Sequence, residues 1–326
     1  MKKTIVFEKT GYDPFIDFIK AYAIMCVLAG HTIGFLNDLG SGLWLSMQVP
    51  LFVLIQVFHI YKKDTYRVSK EKIFWRILFP YIVLQLCLTT IFIVCGKLDN
   101  TLLYEGLAGG GYGPGSYYPW VYIQLAILIP LIRPVFKIKN IALLAGLFIL
   151  LCEFFEIISS LINLPDRIHR LLATRYFLLV FLGWLWVNYG IVISWKTIFI
   201  SLLSAFAIIY FEYFHINDEP FFYSTGWSYH RWPCYFWVAW LGSYLLYLLY
   251  CLLYKYTFID RCIKLLAKCS YEIFLIQMAA CVLCPNFSLL GNPHLGGLLR
   301  TLLIFIISIG GGYYTNAFYK KFLKTI

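Results

Sequence analysis

Apolar stretches of about twenty residues recur along this 326-residue chain, and nothing else in it restricts the fold as strongly. A helix of that length crosses the roughly 30 Å of hydrocarbon in a bilayer. Lipid offers the backbone no hydrogen-bond partner, so such runs are predicted to be helices. They fall near 14–36, 43–61, 73–96, 119–136, 141–162, 175–193, 197–215, 233–254, 268–285 and 298–317. Only 13% of the residues are charged and 61% are hydrophobic, whereas a soluble domain carries about 25% charge. Many of the 26 Tyr, 28 Phe and 10 Trp stand near the ends of runs, as interfacial anchors do. The expected fold class is all-α: a polytopic transmembrane bundle of about ten spans, forming a single domain over 1–326. No repeat of fixed period interrupts it. The first run is too long and too charged for a cleavable leader, so none is expected.

The net charge of +11 reads as topology, with no nucleic-acid partner expected. Lys2, Lys3 and Lys9 precede the first run, and Lys62, Lys63, Arg67, Lys70 and Lys72 separate the second from the third. Arg133, Lys137 and Lys139 follow the fourth, Lys196 the sixth, and Lys255, Arg261, Lys264 and Lys268 the eighth. Lys320, Lys321 and Lys324 close the chain. These are alternate connections, and the positive-inside rule then puts both termini in the cytoplasm. Arg167, His169, Arg170 and Arg175 break the pattern on the outer side. They read either as arginines snorkelling to the membrane boundary or as an anion-binding patch for a phosphate-bearing acceptor.

Two further features suggest less chemistry. Gly109-Gly110-Gly111-Tyr112-Gly113-Pro114-Gly115 lacks the G-K-[ST] ending of a phosphate-binding loop and is expected to be a flexible outer loop. Cys281 and Cys284 form a C-x-x-C inside an apolar run without companion ligands. The ten cysteines therefore read as small apolar fillers, and no metal is expected.

The first run is different. It carries Asp17, Lys20 and His31, and an ionisable group near the bilayer centre costs roughly 2.5–3.5 kcal/mol on insertion scales. At 100° per residue Lys20 and His31 lie within about 20° of one another, and Asp17 within about 40° of His31. The three share one face, with roughly 16 Å of helix between Lys20 and His31. Asp17 and Lys20 can pair at i,i+3. A buried ion pair beside a satisfied core histidine would explain them structurally, but intramembrane charges default to a functional reading.

Asp17-x-x-Lys20-x10-His31, with Gly30 before the histidine, resembles the amino-terminal signature of the acyltransferase-3 family of membrane acyltransferases, usually Asp-x-x-Arg-x10-His. Arg76-Ile-Leu-Phe-Pro80-Tyr81 is similar to the start of the family's third span. Tyr118-Pro119-Trp120-Val-Tyr122-Ile-Gln124-Leu125 with Pro130 is similar to its aromatic fourth span. Arg175-Tyr176 through Phe181-Leu-Gly183 resembles its Arg…Phe-x-Gly segment. Ser270-Tyr271-Glu272-Ile273-Phe274-Leu275-Ile276-Gln277 resembles its late Ser-Tyr-x-Ile-Tyr-Leu-x-His motif. Two positions depart from the pattern. Lys20 keeps the charge of the usual arginine without its planar fork, and Gln277 replaces the late histidine while still donating and accepting hydrogen bonds.

The resemblance implies transfer of an acyl group, commonly acetyl from acetyl-CoA, to a hydroxyl of an envelope polysaccharide or lipid-linked sugar. The setting it implies is a bacterial inner membrane, with the bilayer, an acyl-CoA co-substrate and the glycan acceptor as partners and no permanently bound cofactor. His31 is the expected general base, with a transient acyl-histidine as the rival route. Lys20, held by Asp17, is expected at the donor entrance with Lys70, Lys72 and Arg76. Tyr118, Trp120, Gln124, Glu153, Arg175 and Gln277 are expected to hold the acceptor or support the site. Tyr118, Gln124, Glu153 and Glu156 are the candidates for orienting the imidazole. The alternatives are a transporter or flippase for an envelope precursor, and a non-catalytic membrane partner.

Overall fold

The computed structural model describes residues 3–7, 12–32, 41–44, 47–62, 69–214, 231–284 and 293–322. Lys2, Lys9, Lys63, Arg67 and Lys324 of the charge pattern, and the span margins at 33–36, 45–46, 215 and 285, lie outside the described residues.

Each of the ten apolar runs coincides with a helix. In chain order they begin with α1 (Pro14–Thr32), α2 (Gln48–Lys62) and α3 (Lys70–Val94). A short α4 (Asn100–Ala108) precedes α5 (Tyr118–Ile132) and α6 (Ile141–Leu161), and a single-turn α7 (Asp166–Arg170) precedes α8 (Phe177–Tyr189). Then come α9 (Trp195–Phe214), α10 (Cys234–Leu253), α11 (Thr257–Lys268), α12 (Ser270–Leu283) and α13 (Pro293–Phe322). Polar residues start several of them. Asp13 Oδ1 accepts the Phe15 N–H at 3.0 Å, and Asn140 Oδ1 accepts from Ala142 and Leu143 at 3.0 and 3.1 Å. Each satisfies amides that a first turn leaves open. In α3, Pro80 has no N–H for the Arg76 carbonyl. The helix takes one π turn over Phe74–Leu78 just before it.

Among the described residues six helices are long and apolar enough to cross a membrane, and a seventh crossing results if α11 and α12, bent by 72° at Cys269, count as one. This makes the chain an all-α, multi-pass membrane protein. The 13-residue α8 is short and enclosed. Leu178 to Leu182 are buried on every side, so it is a core helix surrounded by others. It packs on α2, where a side chain at Gly183 would approach Val57 within 2.7 Å. The all-α expectation needs one small correction. Lys3–Ile5 and Ile191–Ile193 form a two-stranded antiparallel sheet, pairing Thr4 with Val192.

Helices α1, α2 and α12 place the site. Gly30, near the end of α1, lies 3.6 Å (from its would-be Cβ) from Gln48 at the start of α2, so the two run antiparallel. Helix α13 pins two of the three ends. Thr301 Oγ1 donates to the Thr32 carbonyl at 3.0 Å, and the neighbouring Arg300 donates to the Cys281 and Cys284 carbonyls at 3.2 and 3.1 Å. A cation on the last carbonyls of a helix suits its negative end.

Candidate functional site

A cavity of about 850 Å³ runs along the inner face of α1. Lys20, Ser69, Lys72, Ser270, Arg167 and Arg170 line it, with His31 in the wall. Four cations and no carboxylate line it among the described residues. The helical spacing of Lys20 and His31 therefore does what it predicts, and both side chains face one chamber. The Lys20 ammonium stands 3.5 Å from the Asp17 carboxylate. That distance makes a loose ion pair rather than a tight hydrogen bond, and Asp17 itself lies off the cavity wall.

The imidazole has one described hydrogen-bond partner. The Gln277 side-chain amide meets His31 Nδ1 at 3.1 Å and Cys281 Sγ at 3.1 Å. Gln277 is fully buried, and its Oε1 has no partner among the described residues. A half turn of the amide exchanges its oxygen and nitrogen in the same space. With oxygen toward the ring, Gln277 accepts from Nδ1–H, and Nε2 keeps its lone pair. Gln277 thus occupies the orienting position for which Tyr118, Gln124, Glu153 and Glu156 were the expected candidates.

Two of those four, Gln124 and Glu156, are engaged elsewhere. Gln124 donates to the Leu171 carbonyl at 2.6 Å and accepts from the Ala173 N–H at 3.1 Å, which commits both ends of its amide to holding one turn. Glu156 lies 3.4 Å from His169 in a buried pair, and Glu153 is half-buried one turn away on α6. Tyr118 does line the cavity, wedged between Phe52 and Phe274. Trp120 donates to the Gly110 carbonyl at 2.7 Å and braces a loop instead of facing a ligand. Arg175 is buried away from the cavity wall, over the Tyr176 ring, with the Tyr235 hydroxyl on its carbonyl at 3.1 Å. Lys72 lines the cavity, while Arg76 is exposed on the π turn and lies off the wall.

The glycine-rich segment is the largest surprise. It is packed, not loose. Gln85 grips Tyr112 from both sides, accepting its N–H at 2.7 Å and donating to its carbonyl at 3.3 Å. The Tyr81 hydroxyl bonds the Gly110 and Ser116 carbonyls. Gly111 sits at φ +140°, and a side chain there would collide with Tyr81. Gly115 comes close enough that a Cβ would lie 3.8 Å from His31 Cε1. The loop is thus part of the chamber wall over the imidazole. The missing phosphate-loop ending says nothing against this role, and the density of glycines is the signal for it: backbone must lie where side chains do not fit.

The acyltransferase-3 family, described as an acyltransferase domain, matches residues 13–317. The chain belongs to this family. The match begins one residue before α1 and ends within α13, so it takes in every element that forms the chamber. No curated protein and no solved structure matches the chain. The protein is a membrane acyltransferase, and the chamber around His31 is its candidate active site.

Proposed function

We propose that this acyltransferase moves an acetyl group from cytoplasmic acetyl-CoA to a hydroxyl of an envelope polysaccharide or lipid-linked sugar. The observation that carries the reading is the placement of His31, backed by Gln277, in the wall of a chamber that Lys20 and Lys72 also line. The proposed orientation has ten crossings and both termini in the cytoplasm of a bacterial cell, with the protein in the inner membrane. The alternation of basic connections supports it.

The Lys20 side of the chamber then faces the cytoplasm, where CoA is found. Lys20 and Lys72 take the donor's phosphates, with Lys70 and Arg76 adding positive charge at the mouth. The roughly 16 Å between Lys20 and His31 matches the reach of an extended pantetheine arm, which brings the thioester to the imidazole. Asp17 keeps Lys20 in place.

Gln277 accepts from Nδ1–H, so Nε2 is the basic nitrogen. Nε2 takes the proton of the acceptor hydroxyl as its oxygen bonds the thioester carbonyl carbon. The tetrahedral intermediate collapses, the C–S bond breaks, and the departing thiolate takes the proton back from the imidazolium. Ester and CoA thiol leave, and the imidazole is neutral again. An imidazole suits both halves because one nitrogen can take a proton and give it back. Tyr118 and the glycine-rich loop shape the wall against which the acceptor rests.

Mass spectrometry of envelope glycans from cells with the wild-type protein, with His31→Ala and without the protein tests this. An acetyl-sized increment should be present only with the wild type. Retention of the increment in membrane-inserted His31→Ala would remove His31 from the chemistry.

A further inference from the structure

We propose that Gln48 is a further catalytic residue, whose side-chain N–H donates to the thioester carbonyl oxygen as that oxygen gains negative charge. The inference rests on the acyl-transfer reading for the identity of the reacting carbonyl. The state of the Gln48 amide is a separate observation.

Gln48 opens α2 and lines the same chamber as His31. It stands level with the end of α1 that carries the imidazole: a Cβ built on Gly30, the residue before His31, would lie 3.6 Å from Gln48 Nε2. The glutamine is half-buried. Its Oε1 is enclosed without a hydrogen-bond partner, whereas Nε2 is not enclosed. Other glutamines of the region are spoken for. Gln56, two turns along α2, donates to the Tyr122 carbonyl at 2.8 Å, and Gln277 meets His31 and Cys281. The Gln48 amide makes no such bond among the described residues. Nearby wall residues give it none: Val49 and Phe52 on its own helix and Val27, one turn before His31, are apolar. A polar group kept in such surroundings without a partner costs free energy.

The chemistry supplies the partner. When the acceptor oxygen bonds the thioester carbon, the C=O π pair moves onto the carbonyl oxygen. It returns as the C–S bond breaks. His31 handles the proton of this exchange but leaves the oxyanion without a donor. A neutral amide N–H stabilises that charge with no proton transfer of its own, and does so best against apolar neighbours. Gly30, with no side chain, leaves the approach to Nε2 open.

Membrane vesicles containing the full-length protein, with their endogenous envelope glycans as acceptor and radiolabelled acetyl-CoA as donor, test this. Gln48→Met keeps the length without the N–H, and Gln48→Glu keeps the shape and carries no donor when ionised. Each should lower the maximal rate about a hundredfold, the scale for one oxyanion donor, and leave KM for acetyl-CoA within about twofold. Gln48→Asn keeps a shorter amide and should retain part of the rate. CoA binding to the purified variants should match the wild type. A maximal rate within about threefold of wild type in Gln48→Met or Gln48→Glu overturns the inference. So does a raised KM at unchanged maximal rate, or loss of CoA binding in all three variants, which would assign Gln48 to the fold. Activity that the variants keep overturns this inference alone, whereas a wild-type protein that moves no label overturns the acyl-transfer reading and the inference with it.

Discussion

The side-chain amide of Gln277 lies 3.1 Å from Nδ1 of His31, joining residues 246 positions apart. In the proposed mechanism that contact sets which imidazole nitrogen keeps its lone pair. The glutamine amide reaches the ring from α12.

Gln277→Ala should therefore lower kcat about tenfold or more while leaving KM for acyl-CoA near its wild-type value. The loss of one buried hydrogen bond, roughly 1–3 kcal/mol, sets the scale. Gln277→His supplies one acceptor nitrogen for the Nδ1–H of His31 and should recover much of the rate. Steady-state kinetics of the three proteins checks both expectations, and an equal rise in KM with unchanged kcat would show that Gln277 serves binding alone.

His31→Ala should abolish acyl transfer outright, because it removes the imidazole that the proposed mechanism uses to take the hydroxyl proton and return it. Membrane insertion should be unaffected, since the change removes a polar group from an apolar helix end. Labelled acetyl-CoA supplied to purified protein reads the first effect, and fractionation of membranes the second.

Lys20→Ala should raise KM for acyl-CoA by about five- to tenfold with a smaller effect on kcat, and the loss should shrink at high ionic strength, where charge pairing is screened. Lys20→Arg keeps the charge at the same place and should be tolerated. A donor dependence indifferent to Lys20→Ala would remove it from the entrance.

Gly111→Ala should destabilise the protein by roughly 1–3 kcal/mol or more, because the residue sits at φ +140° and its Cβ would meet Tyr81. A lower Tm accompanied by lost activity is expected. Gly146, with nothing within 4 Å of its would-be Cβ, is the control: Gly146→Ala should leave Tm unchanged or slightly raised.

Gln124→Ala should behave as a structural variant. It removes two hydrogen bonds from the turn at Leu171 and Ala173, worth roughly 1–3 kcal/mol together. Thermal stability should fall, and the kcat of the folded fraction should stay close to wild type.

The ten helices were legible because the apolar runs that make them are long and continuous. Hydrophobic run length is a local property, and a bilayer rewards it directly. The shared face of Lys20 and His31 was legible for a similar reason: a helix converts spacing into direction, and the cavity now contains both side chains. The small sheet was not legible, because three-residue strands leave no periodic signal and Lys3 meets Ile193 only across the whole fold.

The supporting residues divide along the same line. Gln124, Glu153, Glu156 and Arg175 stand out in an apolar sequence, but prominence does not say where a side chain ends. Gln124 turned toward a backbone turn and Glu156 toward His169, because a buried polar group takes whichever partner the packing brings within reach. The glycine-rich segment looked loose for want of side chains, and that same lack is what lets it lie against Tyr81, Met278 and Phe274.

What the sequence determined by itself is local. It set the helical architecture, the collinear stripe on α1 and the motif order that marks an acyltransferase, since each follows from spacing along one segment. Only the tertiary structure decided which groups meet: Gln277 at the imidazole, Arg300 and Thr301 pinning the ends of α12 and α1, and a chamber lined by Lys20, Lys72, Arg167 and Arg170 together with His31. Those contacts join residues far apart in the chain, and their free energy depends on packing that no single helix carries.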